Sequence, residues 1–265
     1  MSVKLPIGVF DSGMGGLTVF IQLRKLLPAE DILYFGDTKR TPYGIRTSKE
    51  IQNFTREILD FMIRNHVKLA VAACNTITVN LNNLPQEYPF PIIGMSTGSH
   101  TALKLTKNNR IGIIGTDATI RSGKHAEEIR ALSNAVKVYP KACHKFASLV
   151  EQEKFSGKDI NDAAREYLLP LKKTGVDTVI LACTHYPLII SVIRNVLGPN
   201  VNILDPAEET ACNVKKVLGQ KGLLANGQNG SNRLCFSADI DRAKRIAARL
   251  FDIQQCGFEY VDLSQ

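Results

Sequence analysis

The sequence has no run of about 18 apolar residues, the length a helix needs to cross a bilayer. A helical membrane protein is therefore excluded, and no membrane partner is expected. The opening residues Met1-Ser2-Val3-Lys4-Leu5-Pro6 lack the apolar core and small-residue cleavage site of an export signal, so a cytoplasmic location is expected. Cysteines stand at 74, 143, 183, 212, 235 and 256, and no two of them form a C-x-x-C pair. The spacing thus offers neither a zinc site nor a dithiol redox centre, and no metal is expected. In a chain without an export signal these thiols should be reduced. The glycine-rich segment Asp11-Ser12-Gly13-Met14-Gly15-Gly16 falls short of a dinucleotide-binding G-x-G-x-x-G, because position 18 is Thr. The Lys-Ser/Thr of a P-loop is missing as well.

What remains is an ordinary soluble composition: 265 residues, 44% hydrophobic and 22% charged, with a formal net charge of +8. That length suffices for two domains of moderate size. The basic excess is scattered. Its densest cluster, Arg242, Lys244, Arg245 and Arg249, has helical spacing with Ala and Ile between. No recognisable nucleic-acid module accompanies it, so it reads as a solvated face and no nucleic-acid partner is expected.

Short apolar runs at residues 7–10, 32–35, 69–73 and 92–95 read as buried strands, with helix-like stretches at 17–27, 48–65 and 76–84 between them. The pattern restarts with strands at 110–115, 135–139 and 178–182 and helices near 123–132, 159–173 and 188–197. After Pro206 the sequence predicts one helix, a Gly/Asn-rich turn at 226–232, a strand at 233–237, a helix at 240–251 and a last strand at 258–263. This alternation predicts an α/β fold with largely parallel sheets. Ile7-Gly8-Val9-Phe10 is echoed by Ile111-Gly112-Ile113-Ile114, and the run into Cys74-Asn75-Thr76 by the run into Cys183-Thr184-His185, at nearly equal offsets. We therefore expect two similar three-layer α/β domains related by pseudo-symmetry. The tail should complete the first, giving residues 1–97 plus 208–265 for one domain and 98–207 for the other.

In open α/β sheets ligands bind at the carboxyl ends of strands. Cys74 and Cys183 each follow an apolar strand and are expected to precede a helix, whose dipole would favour the thiolate. Most cysteines in such chains are small buried hydrophobes. Two at matching strand ends, with the polar neighbours Asn75, Thr76, Thr184 and His185, point instead to chemistry. The Asp11–Gly16 turn offers backbone N–H groups and the Ser12 hydroxyl to a small anion such as a carboxylate.

Around these residues the sequence resembles the glutamate racemases of the aspartate/glutamate racemase superfamily along nearly its whole length. The matching segments run from Phe10 to Thr18, Tyr34 to Asp37, Pro42 to Gly44, Ala73 to Thr76, Gly115 to Ser122, Leu149 to Glu151 and Cys183 to Leu188. The resemblance implies an active site in the cleft between the two domains and 1,1-proton transfer by two thiols, Cys74 and Cys183, on opposite faces of the substrate α-carbon. It implies that Asp11 assists Cys74, and that Glu151 with His185 assists Cys183. It implies that Asp11, Ser12, Tyr43, Gly44, Asn75, Thr76, Thr116, Thr184 and His185 hold the amino acid. No pyridoxal phosphate, metal or other cofactor is implied. The implied role is the supply of D-glutamate for peptidoglycan and so for cell-wall shape, by a homodimer.

The sequence departs from the family pattern in places. Ile77-Thr78-Val79-Asn80 replaces small residues after the first Cys triplet, and His125 stands where Tyr is common. Ser96-Thr97 and Cys143-His144-Lys145 also differ. These departures bear on substrate, dimer contacts and regulation. Three alternatives stay open: a racemase of aspartate or another amino acid, a non-catalytic binding protein using its basic surface, and a redox role for the cysteine pair.

Overall fold

A computed structural model describes residues 2–227 and 229–263. Residue 1 of the opening segment and residue 228 of the turn expected at 226–232 lie outside the described residues. The strands are β1 Ile7–Asp11, β2 Ile32–Gly36, β3 Leu69–Ala72, β4 Ile92–Gly94, β5 Arg110–Gly115, β6 Lys137–Ala142, β7 Thr178–Ala182, β8 Asn202–Leu204, β9 Asn232–Phe236 and β10 Cys256–Tyr260. The helices are α1 Leu17–Leu26, α2 Ser48–Arg64, α3 Asn75–Asn80, α4 Ser99–Leu105, α5 Asp117–Arg121, α6 Lys124–Leu132, α7 His144–Glu151, α8 Lys158–Lys173, α9 Ile190–Leu197, α10 Ala207–Gln220 and α11 Ile240–Leu250. Among the described residues no helix is long and apolar enough to cross a membrane.

Strands and helices interleave as the sequence predicts, in two sheets whose neighbouring strands are parallel. The chain divides into two compact units. One is formed by the residues up to Met95 together with those from Ala207 on, the other by Ser96–Pro206. The first holds a six-stranded sheet in the order β10-β9-β2-β1-β3-β4, with β9 from the tail pairing β2. The second holds a four-stranded sheet in the order β6-β5-β7-β8. The run β2-β1-β3-β4 and the run β6-β5-β7-β8 have the same strand order, which is the topological counterpart of the sequence echo.

The central strands β1, β2, β3 and β7 are buried along their whole length. Covered on both faces, a parallel strand reads as a continuous apolar run, and that is why these were visible in the sequence. The edge strand β6 is only half-buried and carries Pro140, whose missing N–H is tolerated at an edge. Helix α2 starts with a reciprocal cap: Thr47 Oγ1 accepts from the Glu50 N–H, and Glu50 Oε2 accepts from the Thr47 N–H. Four of these strands and α-helices were not anticipated. Strand β8 is a three-residue, half-buried edge, too short to show periodicity. Helices α4, α5 and α7 have eight residues or fewer, too few turns for a clear amphipathic pattern.

Candidate active site

In the first unit the site residues gather at the carboxyl ends of β1, β2 and β3. Asp11 ends β1 and is fully buried. Its Oδ1 accepts the Gly13 N–H at 2.7 Å, folding the glycine-rich segment back over the strand end. Two glycines are required by close approach. A Cβ at Gly16 would lie 2.6 Å from Asp11 Cβ, and one at Gly36 would lie 2.4 Å from the Gly13 carbonyl oxygen. The Tyr34 hydroxyl donates to that same carbonyl at 2.8 Å. In the turn expected to present its N–H groups to an anion, that of Gly13 serves Asp11, while the carbonyls of Met14, Gly15 and Gly16 accept from Leu17, Thr18 and Val19 at the start of α1.

Cys74 is the extended residue before α3, and its carbonyl accepts the Thr78 N–H at 2.8 Å. Its Sγ lies 3.5 Å from Ser12 Oγ, which joins the thiol to the glycine-rich turn. Helix α3 spans six residues, so its dipole is short. Asn75 is 2% exposed, and neither its amide nitrogen nor its oxygen has a partner among the described residues. Thr76 is buried beside it. Ile77 lies in the same apolar core cluster as Cys74 and Tyr43, so its bulk supports the site from within the core.

Tyr43 and Gly44 are buried in a single 3₁₀ turn that follows a cis Thr41–Pro42 peptide. The Tyr43 hydroxyl donates to Asp37. Asp37, at the end of β2 and 1% exposed, also accepts from Ser237 Oγ at 2.7 Å and from Arg40 Nε at 2.5 Å. Burial, followed by the Asp37 carboxylate, pushes the Tyr43 hydroxyl well above its ordinary pKa, so Tyr43 stays protonated as a donor. Asp37 falls within a matched motif, yet no role for it was read from the sequence. Its signal was a carboxylate directly after a wholly apolar strand.

In the second unit Cys183 follows β7, but the expected α-helix does not follow it. A turn and a 3₁₀ helix, Tyr186–Ile189, precede α9. The Tyr186 N–H bonds back to the Cys183 carbonyl at 3.1 Å, closing a tight turn, and Pro187 stands in the first turn of the 3₁₀ helix. Cys183 therefore has a side-chain partner in place of an α-helix N-terminus. His185 Nδ1 lies 3.8 Å from Cys183 Sγ, and His185 Nε2 lies 2.7 Å from Glu151 Oε1. All three side chains are buried. Burial disfavours the imidazolium, but the hydrogen bonds to Cys183 and Glu151 outweigh it and hold the His185 pKa well above its ordinary value. The result is a carboxylate–imidazolium–sulfur row (Glu151, His185, Cys183).

Glu151 is the last residue of α7, and an aromatic chain fixes that helix. Phe146 stands edge-on to both Tyr167 and Tyr186, with centroids 5.4 and 5.2 Å apart. The Tyr186 hydroxyl donates to the Cys143 carbonyl at 3.0 Å. Cys143-His144-Lys145 thus begins the helix that carries Glu151. Thr116 caps α5, accepting the Thr119 N–H, and Thr184 is buried beside Cys183. His125 is buried in α6 without a ring hydrogen-bond partner among the described residues, and burial depresses its pKa to about 4. Among the described residues no group of three or more His, Cys, Asp or Glu side chains could hold a metal ion.

Comparison with known proteins supplies the context for this geometry. The chain is 41% identical over 254 residues to a glutamate racemase of Bacillus cereus, covering 95% of this chain and 94% of that one. It superposes on a glutamate racemase isoform from Bacillus anthracis with a TM-score of 0.88 at 37% identity, covering 98% of each chain. The Francisella tularensis glutamate racemase, solved in complex with D-glutamate, also gives a TM-score of 0.88, at 32% identity and 98% coverage of each chain. The model of the Asp/Glu/Hydantoin racemase family matches residues 7–213, and the chain belongs to that family.

Proposed function

We propose that the protein interconverts L- and D-glutamate by 1,1-proton transfer between two thiols, supplying D-glutamate for peptidoglycan. The observation that carries this reading is the buried row of Cys183, His185 and Glu151, a thiol with its own proton-handling partners. Cys74 beside Ser12 is its counterpart in the first unit. One sulfur, as thiolate, takes the α-proton, and the electron pair left on the α-carbon is delocalised into the substrate carboxylate. The other sulfur, as thiol, gives its proton to the opposite face. Thiol and thiolate have then exchanged places, and the protein is set for the other enantiomer.

The α-proton is weakly acidic, so fixed donors must stabilise the developing charge, and positioning must supply the rest. The unpartnered amide of Asn75 suits this task, because a buried amide without partners is costly until a polar ligand meets it. Ser12, Tyr43, Gly44, Thr76, Thr116 and Thr184 complete the substrate set, with Asp11 assisting Cys74 and Glu151 with His185 assisting Cys183. We assign the reaction to the cytoplasm and to a homodimer, following the family likeness. Size-exclusion chromatography with light scattering tests the homodimer.

The test of function is a panel of amino acids incubated with the protein in deuterated buffer, followed by optical rotation and α-deuterium content. Glutamate should lose optical activity and gain deuterium. Cys74→Ser and Cys183→Ser should each lower the rate by about 10³-fold or more, as loss of an acid–base group does. Racemisation at the unaltered rate by either variant would overturn the two-thiol reading, and a preference for aspartate would overturn the substrate.

A further inference from the structure

The first unit contains a cavity of about 360 Å³ between α1 and the segment that joins α11 to β10. None of its lining residues belongs to the set proposed to bind the amino acid. Its inner wall is apolar. Phe20, 2% exposed, packs on Phe251 with ring centroids 5.2 Å apart, and Ile21 flanks them. Arg24 and Lys25 also line it. Arg24 anchors its terminal nitrogens on the carbonyls of Pro28 and Glu30, at 2.8 and 2.6 Å, with the carbonyls of Gly230 and Ser231 at 3.5 and 3.4 Å. Lys25 is exposed and forms no ion pair among the described residues. The carboxylate of Asp252 lies in the same lining, and its Oδ1 accepts the Gln254 N–H at 3.0 Å. Arg24 has Asp31 and Glu30 close by, which leaves Lys25 as the exposed cation beside the aromatic wall.

We propose that this cavity is a binding site for a small organic acid with a flat apolar body. The body lies against Phe20, Ile21 and Phe251, and the carboxylate meets Lys25. The volume lies at the lower end of the range for small-molecule sites. Burying the apolar body supplies most of the affinity, and the uncompensated Lys25 selects an acid over a neutral analogue. Cys256, a half-buried free thiol in the same lining, is a built-in reporter.

The test uses the intact protein and the probe 1-naphthoate, with neutral 1-naphthylmethanol for comparison. Calorimetric titration should show one saturable site for 1-naphthoate. Lys25→Glu, which removes the cation, and Ile21→Trp, which fills the cavity, should each weaken it about tenfold or more. At a concentration ten times the dissociation constant, alkylation of Cys256 by iodoacetamide should slow about tenfold while the exposed Cys212 is unaffected. Absence of saturable heat would overturn the proposal. So would equal affinity in both variants, or equal binding of the neutral alcohol.

Discussion

Glu151, His185 and Cys183 form a buried row, with His185 between the carboxylate and the sulfur. The ordinary histidine pKa is 6.5, and that of His185 is held well above it. The stability the imidazolium contributes is therefore complete below 6.5 and is lost as pH rises through the folded value. Activity should follow the same sign, falling on the alkaline side as His185 ceases to donate to Cys183. Glu151→Gln keeps a hydrogen-bonding group but removes the charge. It should move that alkaline limb to lower pH and lower kcat/KM about 10²-fold. The loss must be equal in both directions, because two enantiomers are equal in energy. A pH–rate profile whose alkaline limb is unmoved would contradict this role. Little of the row is legible in the chain itself. Glu151 and His185 are 34 positions apart, and only likeness to the family joined them.

At the scale of elements, strand ends and turns hold the site. The strand ends were legible because β1, β3 and β7 are buried on both faces and read as apolar runs that stop at a polar residue. The turns were less so. Cys183 leads into a 3₁₀ turn where a helix was expected, since the Cys183–Leu188 pattern does not separate the two. Asp37 was invisible as a functional residue because its partners, Tyr43 and Ser237, stand 6 and 200 positions away. Its carboxylate holds the Tyr43–Gly44 turn against β2 and the end of β9. Asp37→Asn removes a charged acceptor that serves three donors, worth about 1.5–3 kcal/mol for such a bond. We expect KM for glutamate to rise about tenfold or more with kcat nearly unchanged, the signature of lost uniform binding, and Tyr43→Phe to do the same. A fall in kcat at constant KM would show that Asp37 acts on the chemistry instead.

At the scale of the molecule, the first unit is built from both ends of the chain, and a buried ion pair ties its parts together. Lys68 Nζ lies 2.5 Å from Glu30 Oε2, with side chains 0% and 2% exposed. The same ammonium donates to the Val3 carbonyl, and Glu30 Oε1 accepts the Ala225 N–H. Lys68→Met leaves Glu30 charged and buried, and should cost about 3–5 kcal/mol in urea unfolding. Adding Glu30→Gln should recover much of that, and a single variant as stable as the parent would refute the network's role. Each unit carries one of the thiols, Cys74 in the first and Cys183 in the second, and a two-base reaction uses both. L-glutamate followed in deuterated buffer at early times decides whether it does. D-glutamate should form with deuterium at the α-carbon while the remaining L-glutamate keeps protium. D-glutamate that retains the original proton would contradict it.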